Sequence, residues 1–248
     1  MTSAAAIAAW LDELLDAPRF RESEPENGLN VDAGRPVTRL ASTVNTTFAG
    51  ISAAAEWGAE LLLVHHPSWP YIDRKLHQPK LDALRDAGIS LYGAHASLDG
   101  AAEHGTGHEL ARLLGVSIEG RFGMYEGAEA GVFGTFEGGW DRLVAVTTEQ
   151  LGLAPETHRN VGESHRVAIL TGAGAMNSWI EEAIALGCDT YISGEGSMYA
   201  RLYAREAGIN LVLGGHDLTE RPGIEALGER TAAQFGLEHR YIVEPHIG

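Results

Sequence analysis

Short apolar runs separated by helical stretches of about ten residues constrain this chain more than any other feature. Leu61–Val64, Ile89–Ala94, Arg166–Leu170, Thr190–Ile192 and Asn210–Leu213 read as short strands, most of them buried. Phe48–Trp57, Lys80–Ala87, Glu109–Leu114, Leu143–Leu151, Trp179–Leu186 and Met198–Ala207 carry helical spacing between them. A first helix is capped by Ser3 and carries Ile7, Trp10, Leu11, Leu14 and Leu15 on one face. Val37–Val44, Val116–Ile118, Val132–Phe136 and His239–Val243 add strands. The last helix is expected over Ile224–Phe235, with Pro222 as its first-turn signal and Gly236 as its stop. Such alternation predicts an α/β fold of mixed, mostly parallel sheets with helices packed on their faces. The glycine-rich stretch Gly120–Gly139 has the weakest periodicity and reads as the seam between two lobes, 1–123 and 124–248.

Charge narrows the range of partners. The 248 residues carry 34 acidic and 18 basic side chains, a formal net charge of −16. Such a surface repels phosphate backbones and anionic headgroups, so nucleic acid is disfavoured as a partner. The single cysteine, Cys188, excludes an internal disulfide and any multi-cysteine zinc site, and reads as a small buried hydrophobe. No run reaches the roughly 18–20 apolar residues of a membrane span. The Ala-rich start lacks the basic segment of a secretory signal, so a soluble, cytoplasmic protein is expected. Against this background, 11 histidines draw attention to metal and acid–base chemistry.

The histidines that matter follow strands. His65-His66-Pro67 closes the Leu61–Val64 run, and ligands of open α/β sheets bind outside strand carboxyl ends. Neighbouring strand side chains diverge, so the two rings suit two different ions; the competing reading is a surface pair, or one core and one exposed imidazole. Tyr92-Gly93-Ala94-His95-Ala96-Ser97-Leu98-Asp99 places another histidine and a carboxylate after the next strand. Gly214-Gly215-His216-Asp217-Leu218-Thr219-Glu220 does so again, and with Pro222 starting the helix, His216 and Glu220 are expected in the turn before it. Taken singly, Asp99 could be a helix cap and Glu220 a first-turn dipole partner. Together, three imidazoles and two carboxylates exceed one tetrahedral ion and suit two metals bridged by a carboxylate and an activated water.

The His65-His66-Pro67 segment, the Tyr92–Asp99 segment, Ser193-Gly194-Glu195 and Gly215–Glu220, in this order, resemble the Nif-three-like dinuclear metal-centre family, whose members are widely labelled GTP cyclohydrolase type 2 homologues. The likeness extends from Asn27-Gly28-Leu29 to Pro222-Gly223-Ile224. It implies a two-lobed α/β chain, a homohexamer built as a trimer of dimers, and two divalent ions per chain (Zn, Fe, Mn or Ni) at a site formed between the lobes. Carried over by position, the metal ligands are His65, His66, Asp99, His216 and the bridging Glu220. His65 and His216 would serve one ion, His66 and Asp99 the other. Asn45 stands where many members have Asp; it is not a ligand, and a second-layer or substrate contact is expected to differ there.

Other residues take lesser roles. His95 reads as a proton shuttle or outer partner, or as a satisfied core histidine; Glu195 reads as a general base, an outer carboxylate or a turn residue. These two are the catalytic candidates. Ser68, Trp69 and Tyr199 are expected to line the cavity, though Trp69 beside Pro70 is as easily packing. Thr171–Ala175 reads as a tight strand-to-helix turn more readily than as a phosphate cradle. His104 and His108 read as a solvated face, and His77, His158, His165, His239 and His246 belong to no constellation.

The functional expectation is a metal-dependent hydrolase, of cyclohydrolase or phosphoesterase type, acting on a nucleotide-like small molecule through a metal-activated bridging water. The alternative is a non-catalytic, metal-binding hexameric assembly with a structural, metal-sensing or protein-interaction role. Open positions on two ions with five donors favour catalysis, since structural zinc sites are closed and cysteine-rich.

Overall fold

A computed structural model describes residues 2–245. They form two compact units. The first contains residues 2–101 and 224–245, and the second residues 102–223. This division replaces a single cut at 123/124, because the glycine-rich stretch proves to be a hairpin inside the second unit.

In the first unit the chain runs β1 (Thr2–Ser3), α1 (Ala4–Leu14), β2 (Gly28–Val31), β3 (Pro36–Val37), β4 (Arg39–Asn45), α2 (Phe48–Trp57), β5 (Leu61–His66), α3 (Pro70–Asp73), α4 (His77–Asp86), β6 (Ser90–Gly93) and α5 (Ala96–Asp99). Ser3 caps α1 by accepting from the Ala6 amide, and Thr47 caps α2 by accepting from that of Gly50. The second unit continues with α6 (Thr106–Leu114), β7 (Ser117–Tyr125), β8 (Ala128–Thr135), α7 (Gly139–Leu151), β9 (Glu156–His158), β10 (Arg166–Ile169), α8 (Asn177–Ala185), β11 (Thr190–Ser193), α9 (Met198–Ala207) and β12 (Asn210–Leu213). Then α10 (His216–Phe235) leads back to the first unit, which β13 (Glu238–Tyr241) completes.

The first sheet has the order β13-β4-β5-β6-β2, parallel except for β2. Its central strand β5 opens with four consecutive apolar residues, Leu61–Val64, because both faces are covered there. Leu61 and Leu63 face a cluster with Ile7, Leu11 and Leu227, while Leu62 and Val64 face Ile51, Ala54 and Leu84. The second sheet, β7-β8-β10-β11-β12-β9, is parallel over β10-β11-β12 and antiparallel elsewhere. Val167 and Ile169 face Leu143 and Trp140, whereas Ala168 and Leu170 face Ile180 and Phe122.

Two local expectations are corrected. The weak periodicity of residues 120–139 hides a long hairpin, in which Phe133 covers Gly120 and Phe122 covers Gly131 across the ladder. Glycine removes the side chain that would have marked the alternation, and the facing ring occupies the space. The last helix begins at His216, not after Pro222: the proline lies inside α10, where it removes one amide donor without ending the helix. Pro222-Gly223 falls where the chain leaves the second unit. Cys188 is buried, and burial pushes its thiol pKa up to about 11. Among the described residues no helix is long and apolar enough to cross a membrane. His246 lies outside the described residues.

Candidate metal centre

In the first unit the candidate site grows from the carboxyl end of β5. Strand alternation buries His65 completely and leaves His66 half-exposed. The His65 ring donates from Nδ1 to the Ala94 carbonyl at 2.8 Å, because a carbonyl can only accept. Its Nε2 lies 3.7 Å from Asp99 Oδ1, carried on α5. His66 pairs in register with Asn45 of β4, and its Nδ1 meets Asn45 Oδ1 at 2.8 Å. His95, just after β6, holds its Nδ1 2.9 Å from a carboxylate oxygen of the buried Glu24. Glu24 also accepts from Asn27 Nδ2 and the Ala96 amide, while Asn27 Oδ1 accepts from the amides of His95 and Ser97. The result is one nitrogen each from His65, His66 and His95 within 4.8 Å of one another. Trp69 stands edge-on to His95 with ring centres 5.0 Å apart.

The second unit supplies a different arrangement at the ends of β10, β11 and β12. On the first turns of α10, His216 and Glu220 lie four residues apart, with His216 Nε2 3.2 Å from Glu220 Oε1. On the other side of the ring, His216 Nδ1 is 2.7 Å from Glu195 Oε1. Burial alone would lower the His216 pKa, but hydrogen bonds and charge from Glu220 and then Glu195 outweigh it and push it up to about 9. The turn after β10 closes over this pair. Gly172 has φ +59°, and a Cβ there would collide with Glu220 Oε1 and come within 3.0 Å of His216 Nε2. Its carbonyl accepts from the Glu195 amide and its amide donates to Thr219 Oγ1. Thr171–Ala175 is thus a tight turn packed on the His216–Glu220 pair.

The structure therefore gathers His65, His66, His95 and Asp99 in one unit, and Glu195, His216 and Glu220 in the other. Trp69 joins the histidines as an aromatic wall. Ser68 is buried, donating to Asp73 Oδ2 at 2.5 Å with His77 Nδ1 3.0 Å away, so it ties a loop together. Tyr199 is exposed beside Met176, Ser197 and Glu195, on an open cavity of about 580 Å³. Glu24 went unread in the sequence. It sits in an irregular segment 71 residues before His95, and only the neighbouring Asn27-Gly28-Leu29 gave any signal there.

Residues 2–245 match the family model of Duf34/NIF3 (NGG1p interacting factor 3). The chain belongs to this family. A relative in Halobacterium salinarum, named GTP cyclohydrolase 1 type 2 homolog, is 38% identical over 232 residues, covering 88% of this chain and 89% of that protein. One of the same name in Allochromatium vinosum is 33% identical, covering 98% and 96%. Among solved structures, the protein ybgI, described as of unknown function, superposes with a TM-score of 0.87 at 28% identity over 99% of both chains. TTHA1606 from Thermus thermophilus gives 0.82 at 25% identity, over 98% of this chain and 99% of that one. The family's mixed α/β fold is thus the fold of this chain. Its His and Glu side chains form groups able to hold a metal ion.

Proposed function

We propose that this chain binds two divalent metal ions through His65, His66, Asp99, His216 and Glu220, and that it is a metal-dependent hydrolase of a nucleotide-like small molecule. The observation that carries this reading is the backing of the three histidines. Each directs Nδ1 to an acceptor in the protein: the Ala94 carbonyl, Asn45 Oδ1 and Glu195 Oε1. Histidines that ligate a metal through Nε2 are held in this way, with the other nitrogen fixing tautomer and orientation. Imidazole nitrogens and carboxylates suit zinc, iron, manganese or nickel. The i, i+4 spacing places His216 and Glu220 on one side of α10, and Gly172 packs close against both.

Divalent ions held there would acidify water and polarise a substrate oxygen. The protein's own groups supply the rest. His95, anchored through Nδ1 by Glu24, presents its other nitrogen beside His65 and His66 and is placed to move a proton. Glu195 orients His216. Trp69 shields the His66 and His95 rings. The names carried by the relatives support a nucleotide as the substrate class, and the same reading makes the assembly a homohexamer.

The test is to strip the protein with a chelator and reload it with Zn, Mn, Fe or Ni. Bound metal is then counted by mass spectrometry, the assembly sized by light scattering, and a nucleotide panel including GTP followed by chromatography. Metal-dependent turnover is expected, lost in His66→Ala and His216→Ala together with metal content while the circular dichroism spectrum is kept. A wild type that binds no ion overturns the reading. One that binds ions, turns nothing over and still assembles reduces it to a metal-binding platform.

A further inference from the structure

We propose that Glu244 and Asn45 form a polarity relay that fixes the tautomer of His66, which makes Glu244 a positioning residue of the metal centre. This rests on His66 being a ligand, as proposed above. Glu244 follows β13, and the segment is fastened along β4 by the Ile242 amide donating to the Ser42 carbonyl at 2.8 Å. Its carboxylate is surrounded by donors. Oε2 accepts from Thr43 Oγ1 at 2.8 Å, from the Asn45 amide at 3.0 Å and from Asn45 Nδ2 at 3.3 Å; Oε1 accepts from Thr47 Oγ1 at 2.5 Å.

The logic is one of donors and acceptors. An ionised carboxylate can only accept, so the NH₂ side of Asn45 must face Glu244. The carbonyl side, Oδ1, then faces His66 Nδ1 at 2.8 Å, and it too can only accept. His66 must therefore carry its hydrogen on Nδ1, and when neutral it carries the lone pair on Nε2. Asn45 alone would not decide this, since a side-chain amide presents a donor or an acceptor after a half-turn. Glu244 breaks that symmetry. His65 needs no such device, because the Ala94 carbonyl backing it belongs to the main chain and cannot turn over. A carboxylate some 180 residues away in sequence thus selects which nitrogen of His66 is offered to an ion.

The experiment reads the relay with and without metal. In the metal-free protein near pH 8.5, where a free imidazole is neutral, ¹⁵N-detected spectra report the tautomer of His66. Zinc alone, titrated against a chromogenic chelator, reports affinity. Wild type should show the Nδ1–H form, the minor one for a free histidine side chain. Glu244→Ala should admit the Nε2–H form and weaken one zinc site by about 10- to 100-fold. Glu244→Gln can leave its oxygen among the same donors, and should restore both the tautomer and the affinity. Asn45→Ala serves if Glu244→Ala does not fold, and should lose the Nδ1–H form in the same way. Wild-type tautomer and affinity in whichever of these two alanine variants folds overturns the relay. If wild type binds no zinc but the tautomer still follows Glu244 or Asn45, the relay stands and the metal reading falls.

Discussion

The two units hold their histidines by different means. In the first, His65 and His66 are backed by neutral oxygens, the Ala94 carbonyl and the Asn45 amide. In the second, His216 lies between two carboxylates, Glu195 and Glu220, which push its pKa up to about 9. A neutral acceptor fixes a ring without charging it. A carboxylate fixes it too, and stabilises the imidazolium as well. The two β5 rings of the first unit are thus fixed through Nδ1 by neutral oxygens, although His95 beside them is held by the Glu24 carboxylate, whereas the His216 ring of the second unit is held by carboxylates on both sides.

The largest expected effect breaks the second arrangement alone. Gly172→Ala places a Cβ on Glu220 and His216 in a left-handed backbone conformation. It should destabilise by about 2–4 kcal/mol and lower metal content, read by thermal melting and mass spectrometry. Unchanged values would mean that the turn does not constrain the pair. Next comes the buried carboxylate of the first unit. Glu24→Ala removes the carboxylate that accepts from Asn27 and the Ala96 amide and holds His95, and should cost about 1–3 kcal/mol in urea unfolding; a cost near zero would show that water replaces it. Glu195→Gln keeps an acceptor for His216 but removes its charge. It should weaken zinc binding by about tenfold with little change in stability, and an equal loss of both would mark Glu195 as structural.

The smallest effect is expected at the edge strand β9, where Glu156 pairs in register with Leu213 of β12. Glu156 is held at about pKa 2, chiefly by hydrogen bonds from Arg201 and, against burial, by one from His158. Because its folded pKa is depressed, its contribution is present above the unfolded value near 4.5 and is lost as pH falls through 2. The pair is largely exposed and screened, so Glu156→Gln should cost under about 1 kcal/mol at pH 7. That difference should vanish by about pH 2; a difference that persists there would assign the effect to packing.

Legibility in the sequence followed chain-local signals. Phe48–Trp57 could be read to the residue because its apolar spacing is regular, with Thr47 poised before it and Gly58 ending it in a left-handed turn. The strand carrying His65 and His66 could be read because burial on both faces forces four consecutive apolar residues. The β7–β8 hairpin could not, because glycines facing Phe122 and Phe133 erase the alternation. The start of α10 was hidden by Pro222, whose local preference gives way to the rest of the helix. Asn45 stood out only by its residue type. The carboxylates behind the histidines, Glu24 and Glu244, belong to irregular segments far along the chain from their partners, where no period marks them.

The pairing of β13 with β4 bears on how the protein is made. A ribosome releases the strands β4, β5 and β6 early, yet the sheet that contains them lacks its last member until residues 238–241 emerge. Meanwhile residues 102–223, contiguous in the chain, have all they need to collapse into their own core. The exposed flank of β4 is then an open edge during synthesis, available to another nascent chain. Translation that stalls shortly before residue 238 would leave that edge bare, with the second unit already folded and the first sheet unfinished.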